Sequence, residues 1–179
     1  GGTVSNKLKA DNGIEINDVD NLTLDDKGTG AVTITKVTTS LGKSTIDNAS
    51  SLTFSDIATA GQIIYKGKGA FSADVIKGAV TEFNATQVSS FSATAFEAAI
   101  TDIKYGGTGA VTITGKADKS PSVTNIILSN NKNNSAVAIS NVKTNTKVDK
   151  DGTGSLTIVN SALGTVTNDA VKSLLLVVP

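Results

Sequence analysis

"YGGTGAVTITG" occupies Tyr105–Gly115, and nearly the same phrase stands at Lys27–Thr35 ("KGTGAVTIT") and at Asp151–Ile158 ("DGTGSLTI"). Its second half alternates: Val111 and Ile113 fall on one side of an extended chain, Thr112 and Thr114 on the other. Val32 and Ile34 alternate with Thr33 and Thr35 in the same way, and Leu156 and Ile158 flank Thr157. Such a segment is a β-strand with one apolar and one hydroxyl-bearing face, bounded by Gly, Asn and Asp turns.

A looser copy, "YKGKGAFSADV", is centred on Gly67, so Gly28, Gly67, Gly107 and Gly152 recur at steps of about 40 residues. Weaker apolar segments lie between them, among them "SLTFSDI" (Ser51–Ile57) and "VSSFSATAF" (Val88–Phe96). Halving the period gives a unit of about 20 residues, repeated about eight times. Two architectures fit. In a parallel β-helix-like solenoid each unit is a coil, and its strands pair in parallel with the next coil. In an antiparallel β-sandwich the strands pair as hairpins across turns such as "DDKGTG". One phrase recurring in one register favours the solenoid, because stacking sets like above like. The uneven spacing requires insertions at corners, or the sandwich.

The expected fold is therefore mostly β: a β-solenoid of coils of about 20 residues. Two stretches predict short helices packed on it. "SATAFEAAITDI" (Ser92–Ile103) places Thr94 three residues before Glu97 in capping-box spacing, and "SADVIKGAVTEF" (Ser72–Phe83) is similar. Residues 1–179 read as a single β-repeat domain or a segment of a longer chain, since the opening "GGTVSNKLKA" has neither an initiator Met nor a signal-like stretch.

Composition narrows the chemistry. The 16 cations are all lysine and balance 16 carboxylates, so no net field draws the chain to nucleic acid or anionic lipid. There is no Arg for bidentate anion gripping. His, Cys, Met and Trp are absent too, which removes the ordinary near-neutral general base, the thiolate and the usual zinc or haem ligands. No stretch approaches the roughly 20 apolar residues that span a bilayer. Aromatics are 4%, so the core must come from many small aliphatic side chains.

The glycine phrases resemble phosphate-cradling loops, but the P-loop spacing fails: Val37 stands where the first glycine before Gly42-Lys43-Ser44 belongs. Aspartates cluster at "NDVDNLTLDD" (Asp18, Asp20, Asp25, Asp26) and "VDKDGTG" (Asp149, Asp151). Closely spaced carboxylates in loops suit a hard cation, Ca²⁺ above all, although an Asp in a turn also bonds its own backbone. Glu15, Glu82 and Glu97 with scattered Asp make no catalytic carboxylate pair, and any Ser nucleophile lacks a His. The chain reads as a non-enzyme. Thr33/Thr35, Thr112/Thr114 and Thr165/Thr167 resemble the hydroxyl ranks of ice-binding solenoids, but the pair is not evident on intervening coils such as "SLTFSD".

"LTLDDKGTGAVTIT" (Leu22–Thr35), "ITDIKYGGTGAVTITG" (Ile100–Gly115) and "VDKDGTGSLTIV" (Val148–Val159), in a Thr-, Ala-, Asn- and Asp-rich chain free of Cys, resemble the repeat regions of bacterial surface-layer proteins and related secreted β-repeat adhesins. That resemblance implies an extracellular, cell-surface location, lateral self-assembly of identical subunits, and calcium at subunit contacts. The expected role is a structural protein that self-assembles into a surface layer or fibre. The alternative is an adhesin or fibre module binding a cell-surface glycan or host protein. The most apolar run, Leu174–Val178 in "VKSLLLVV", is either an assembly contact or a buried last element.

Overall fold

A computed structural model describes residues 3–8, 10–128, 135–143, 146–168 and 171–177. These form one 17-stranded sheet, with no helix among the described residues. In order the strands are β1 (Thr3–Leu8), β2 (Ile14–Asp26), β3 (Val32–Leu41), β4 (Ser44–Ile46), β5 (Leu52–Ile57), β6 (Ala60–Tyr65), β7 (Ala70–Ile76), β8 (Val80–Ala85) and β9 (Ser90–Phe96). There follow β10 (Ile100–Tyr105), β11 (Val111–Gly115), β12 (Val123–Leu128), β13 (Val137–Ser140), β14 (Thr146–Lys150), β15 (Leu156–Val159), β16 (Leu163–Asn168) and β17 (Leu174–Val177).

Strands pair in parallel with the strand after next, which is the signature of winding. One ladder runs β5–β7–β9–β11–β13–β15–β17, and the other runs β4–β6–β8–β10–β12–β14–β16. The first half of β2 pairs with β3, which joins β5; its second half pairs with β1 and β4. The fold is a parallel β-solenoid of about eight coils of about 20 residues, and the sandwich, which needs antiparallel pairs, is not favoured.

The repeated Val and Ile face inward. Val32, Leu52, Phe71, Phe91, Val111, Val137 and Leu156 stack in register and are all buried. Stacking by about 4.8 Å lets like rings lie face to face. Phe71 and Phe91 do so, with centroids 4.8 Å apart and planes 5° from parallel.

Both expected helices are strands. Ser72–Phe83 contains parts of β7 and β8, and Ser92–Ile103 contains parts of β9 and β10. Ala95 holds φ 51° and so breaks any helix there. Thr94, the supposed cap, donates its hydroxyl to Asp74 on the coil below at 2.8 Å. The tight corner between successive strands places buried residues at Phe96, Ile100 and Ile103, and again at Ile76, Val80 and Phe83. Those steps of four and three coincide with one face of a helix.

The glycine phrase is the corner from the second ladder into the first. Two residues before the stacked buried residues Val32, Leu52, Phe71, Phe91, Val111, Val137 and Leu156 stand, coil by coil, Gly30, Ser50, Gly69, Ser89, Gly109, Ser135 and Gly154. On the glycine coils the inward residue ending the preceding strand has a polar tip: Asp26, Tyr65, Tyr105 and Lys150. On intervening coils it is Ile46, Ala85 or Leu128. All four tips are buried and reach turn backbone. Gly28 N donates to Asp26 Oδ1 at 3.1 Å, and the Tyr65 hydroxyl donates to the Ala49 carbonyl at 2.7 Å. The Tyr105 hydroxyl donates to the Gly109 carbonyl at 2.6 Å, and Lys150 Nζ to the Asp151 and Gly152 carbonyls at 3.2 and 3.4 Å. The 40-residue period in the sequence is thus two coils. Its unevenness includes a corner insertion at residues 116–121, where the Lys119 and Ser120 amides both donate to the Lys116 carbonyl at 3.0 Å.

Candidate functional site

The six aspartates of the sequence reading are dispersed. Asp18 sits at a left-handed corner and takes Lys36 Nζ at 2.7 Å, while Asp20 accepts the Thr38 hydroxyl at 2.6 Å. Asp25 and Asp26 are consecutive on β2 and point to opposite faces. Asp25 is half-exposed, whereas Asp26 is fully buried, its Oδ1 accepting the Ala10 and Gly28 amides and its Oδ2 without a hydrogen-bond partner. Asp149 lies six coils away, in register with Ile127 and Thr167, and inward-facing Lys150 separates it from Asp151 in the turn. A calcium ion needs six to eight oxygens around one point. The side chains of Asp18, Asp20, Asp25 and Asp26 do not converge in this way. Among the described residues no three acidic side chains group as a metal cage.

The densest polar cluster was not singled out in the sequence. Gln62, Glu82, Asp102 and Asn125 occupy one outward column of the second ladder, with the two acids flanked by the two amides. Glu82 Oε1 accepts Gln62 Nε2 at 3.0 Å and Asn84 Nδ2 at 3.1 Å, and its Oε2 takes Lys104 Nζ at 2.6 Å. Asn125 Nδ2 donates to Asp102 Oδ1 at 2.7 Å. Burial alone would raise the Glu82 pKa, but the bonds from Lys104, Gln62 and Asn84 outweigh it and hold the carboxyl below the usual range. The bond to Glu82 correspondingly raises Lys104, against the effect of burial. Both groups are charged at neutral pH, so they form an ion pair that locks register rather than a couple that trades protons. The only signal in the sequence is that these residues recur at coil spacing, legible once the coil length is known.

The outer face of the first ladder is a wall of short hydroxyls. Thr33, Thr53, Ser72, Ser92 and Thr112 form one column, and Thr35, Ser55, Asp74, Thr94 and Thr114 form its neighbour. The Thr33/Thr35 and Thr112/Thr114 pairs are continued by Thr53/Ser55 and Ser92/Thr94, where Ser replaces Thr, but the coil between these carries Ser72 with Asp74, and Thr165/Thr167 lies on β16 in the other ladder.

A different surface closes the described residues. Leu174 and Leu176 continue the inward columns of Leu156 and Ile158, and Leu175 and Val177 face outward. All four are exposed, at 54%, 53%, 54% and 45% for residues 174 to 177. β17 pairs with β15 along one edge, and no described residue pairs with its other edge. These are the exposed large hydrophobic residues among those described, whereas all five Phe and both Tyr are buried. The sequence marked the run as apolar and left open whether it is covered.

Fold and surfaces together must carry the functional reading, because no protein-family model, no curated protein and no solved structure matches this chain.

Proposed function

We propose that this chain is a non-enzymatic structural protein of the bacterial cell exterior, self-assembling into a surface layer or fibre through its repeated β-strand units. The observation that carries the reading is β17, where four consecutive aliphatic residues stand about half exposed on a parallel edge that no described residue pairs. An open strand edge is a ready template for a further strand, and aliphatic cover makes pairing favourable. The repeated phrase supports the same reading, since its glycines and polar tips build corners. The ionised Glu82–Lys104 pair adds no acid–base couple. The alternative, an adhesin or fibre module for a glycan or host protein, would have to use the hydroxyl wall, because every aromatic ring that could stack on a sugar is in the core.

Sedimentation velocity and electron microscopy of the purified chain, with calcium and with a chelator, test the proposal. Ordered sheets or fibres are expected from the parent. Leu175→Lys with Val177→Lys, both outward and exposed, should form neither sheets nor fibres. Dispersed monomers of the parent that bind a glycan array would replace assembly with adhesion.

A further inference from the structure

Down the corner that leaves the first ladder, six successive coils contribute charged side chains of alternating sign: Asp18, Lys36 and Asp56 at the left-handed position, then Lys77, Glu97 and Lys116 two residues further round, a place where the first coil carries Asp20 as a second charge. Within the chain these form three ion pairs: Lys36 with Asp18 at 2.7 Å, Lys77 with Asp56, and Lys116 with Glu97 at 2.8 Å. The pairs are linked as well as adjacent, because the Asp56 charge also acts on Lys36. Each of the six side chains remains between 23% and 62% exposed. The residues beside the later coils of the strip are small, namely Ala58, Gly78, Ala98 and Ala117, while Asp20 and Thr38 stand beside the first two. Lys36, Asp56 and Lys77 line a shallow depression with Ala58.

We propose that this strip is a lateral docking surface for a second copy of the same chain, related by a two-fold axis that passes between Asp56 and Lys77. Turned antiparallel about that axis, Asp18 faces the second copy's Lys116, Lys36 faces its Glu97, and Asp56 faces its Lys77. Every position meets the opposite sign, and the symmetry repeats each contact. Sliding the copies by one coil sets like against like, as does a parallel arrangement in register. A parallel copy shifted by one coil would match five positions and an antiparallel slide of two coils four, so the in-register antiparallel arrangement is favoured as the one that matches all six. Alternation also serves the chain itself, since reversing the Asp18–Lys36 pair would set an aspartate beside Asp56; the same reversal would destroy the match between copies. Beyond the strip, Asp118 and Lys119 offset one another. Exposed ion pairs are individually weak, so the contact orders neighbours within an assembly rather than holding a lone dimer tightly.

The inference goes beyond the reading of β17 as an assembly edge and uses a separate surface, so it is tested with that edge blocked by Leu175→Lys and Val177→Lys. The chain has no cysteine, which makes Ala58→Cys, close to the two-fold axis, a single clean reporter. Disulfide cross-linking of that parent at low ionic strength should give a dimer, and its yield should fall about tenfold in half-molar salt. Two charge-reversed proteins follow: Asp18→Lys with Lys36→Asp, and Glu97→Lys with Lys116→Glu. Each keeps its net charge and its reversed pair, sets one like-charge neighbour between coils (Lys36→Asp beside Asp56, Glu97→Lys beside Lys77), and opposes like charges across the two-fold. Each alone should lose the dimer, and an equal mixture should recover it as heterodimer, because their strips are complementary at all six positions. A chain carrying all four changes should pair with itself again, and circular dichroism checks that each variant is folded. Undiminished cross-linking of either reversed protein, a mixture no better than its components, or a parent that never cross-links would overturn the proposal. None of these results depends on whether the unblocked chain assembles through β17.

Discussion

The Tyr105 hydroxyl donates to the Gly109 carbonyl 2.6 Å away, while two coils earlier the Tyr65 hydroxyl donates to the Ala49 carbonyl at 2.7 Å. In both, a phenol held in the core binds the backbone of a corner, and burial raises its pKa so that it remains a donor at neutral pH. A corner in a narrow solenoid turns carbonyls inward, where water cannot reach them, and an inward carbonyl without a donor is costly. The polar tips answer that demand on alternate coils. The glycines make room for the rings: a Cβ on Gly107 would stand 2.9 Å from both Cε2 and the hydroxyl of Tyr105.

Tyr105→Phe keeps the ring and deletes the donor, so it should cost about 1 kcal/mol in urea denaturation. Gly107→Ala should cost more, roughly 1–3 kcal/mol, because the methyl meets the Val88 carbonyl as well as the ring. Equal costs would show that the hydroxyl, rather than the space beneath it, sets the corner.

Val75 is the β-branched residue in a column of left-handed corners, with φ 53°. Left-handed backbone costs an L residue about 1–2 kcal/mol, and branching at Cβ makes it worse. Two later corners use asparagine, and Asn160 Nδ2 donates to Asn141 Oδ1 at 2.8 Å. Val75→Asn should raise the denaturation midpoint by about 0.5–1 kcal/mol equivalent. A lower midpoint would mean that the valine's apolar contacts outweigh its backbone strain.

The strands and their facing were legible because alternation within a strand is local: Val111 and Ile113 against Thr112 and Thr114 needs no knowledge of the fold. The coil length was legible because the phrase recurs. The corners were not. A turn that packs Phe96, Ile100 and Ile103 into one core reproduces helical spacing, and nothing local separates the two. The Gln62–Glu82–Asp102–Asn125 column and the alternating strip from Asp18 to Lys116 join residues about a coil apart. They become visible only once register is fixed. The aspartates of "NDVDNLTLDD" were grouped by closeness in sequence, and extended backbone sends neighbours such as Asp25 and Asp26 to opposite faces.

Asp26 is fully buried with one carboxylate oxygen unpartnered. Asp26→Asn keeps an oxygen for the Ala10 and Gly28 amides and removes a half-satisfied carboxylate. Stability should fall by about 1–3 kcal/mol, since the amide sets two donors in the buried place where Oδ2 has no hydrogen-bond partner. Unchanged or raised stability in thermal melts would show that the amide finds acceptors at this corner.

Glu82 and Lys104 set a pH dependence whose sign follows from their shifts. The folded chain holds Glu82 below its ordinary range, although burial acts the other way, so its contribution is complete above about pH 4.3 and fades as pH falls through the lower folded value. Lys104 is raised by its bond to Glu82, so its contribution is complete below about pH 10.4 and fades as pH climbs through the higher folded value. Between those limits the pair should add a constant increment. Glu82→Gln removes the charge and leaves an amide among Gln62, Asn84 and Lys104, which should lower stability at pH 7 by about 1–3 kcal/mol. Urea midpoints compared between pH 3 and pH 8 are the deciding measurement. The gap between parent and variant should narrow toward the acid end, because protonation does to Glu82 what the substitution does at every pH. Profiles that stay parallel across the range would mean that the carboxylate carries no charge-dependent stability, and the Lys104 bond would then be an ornament of the surface rather than a lock between coils.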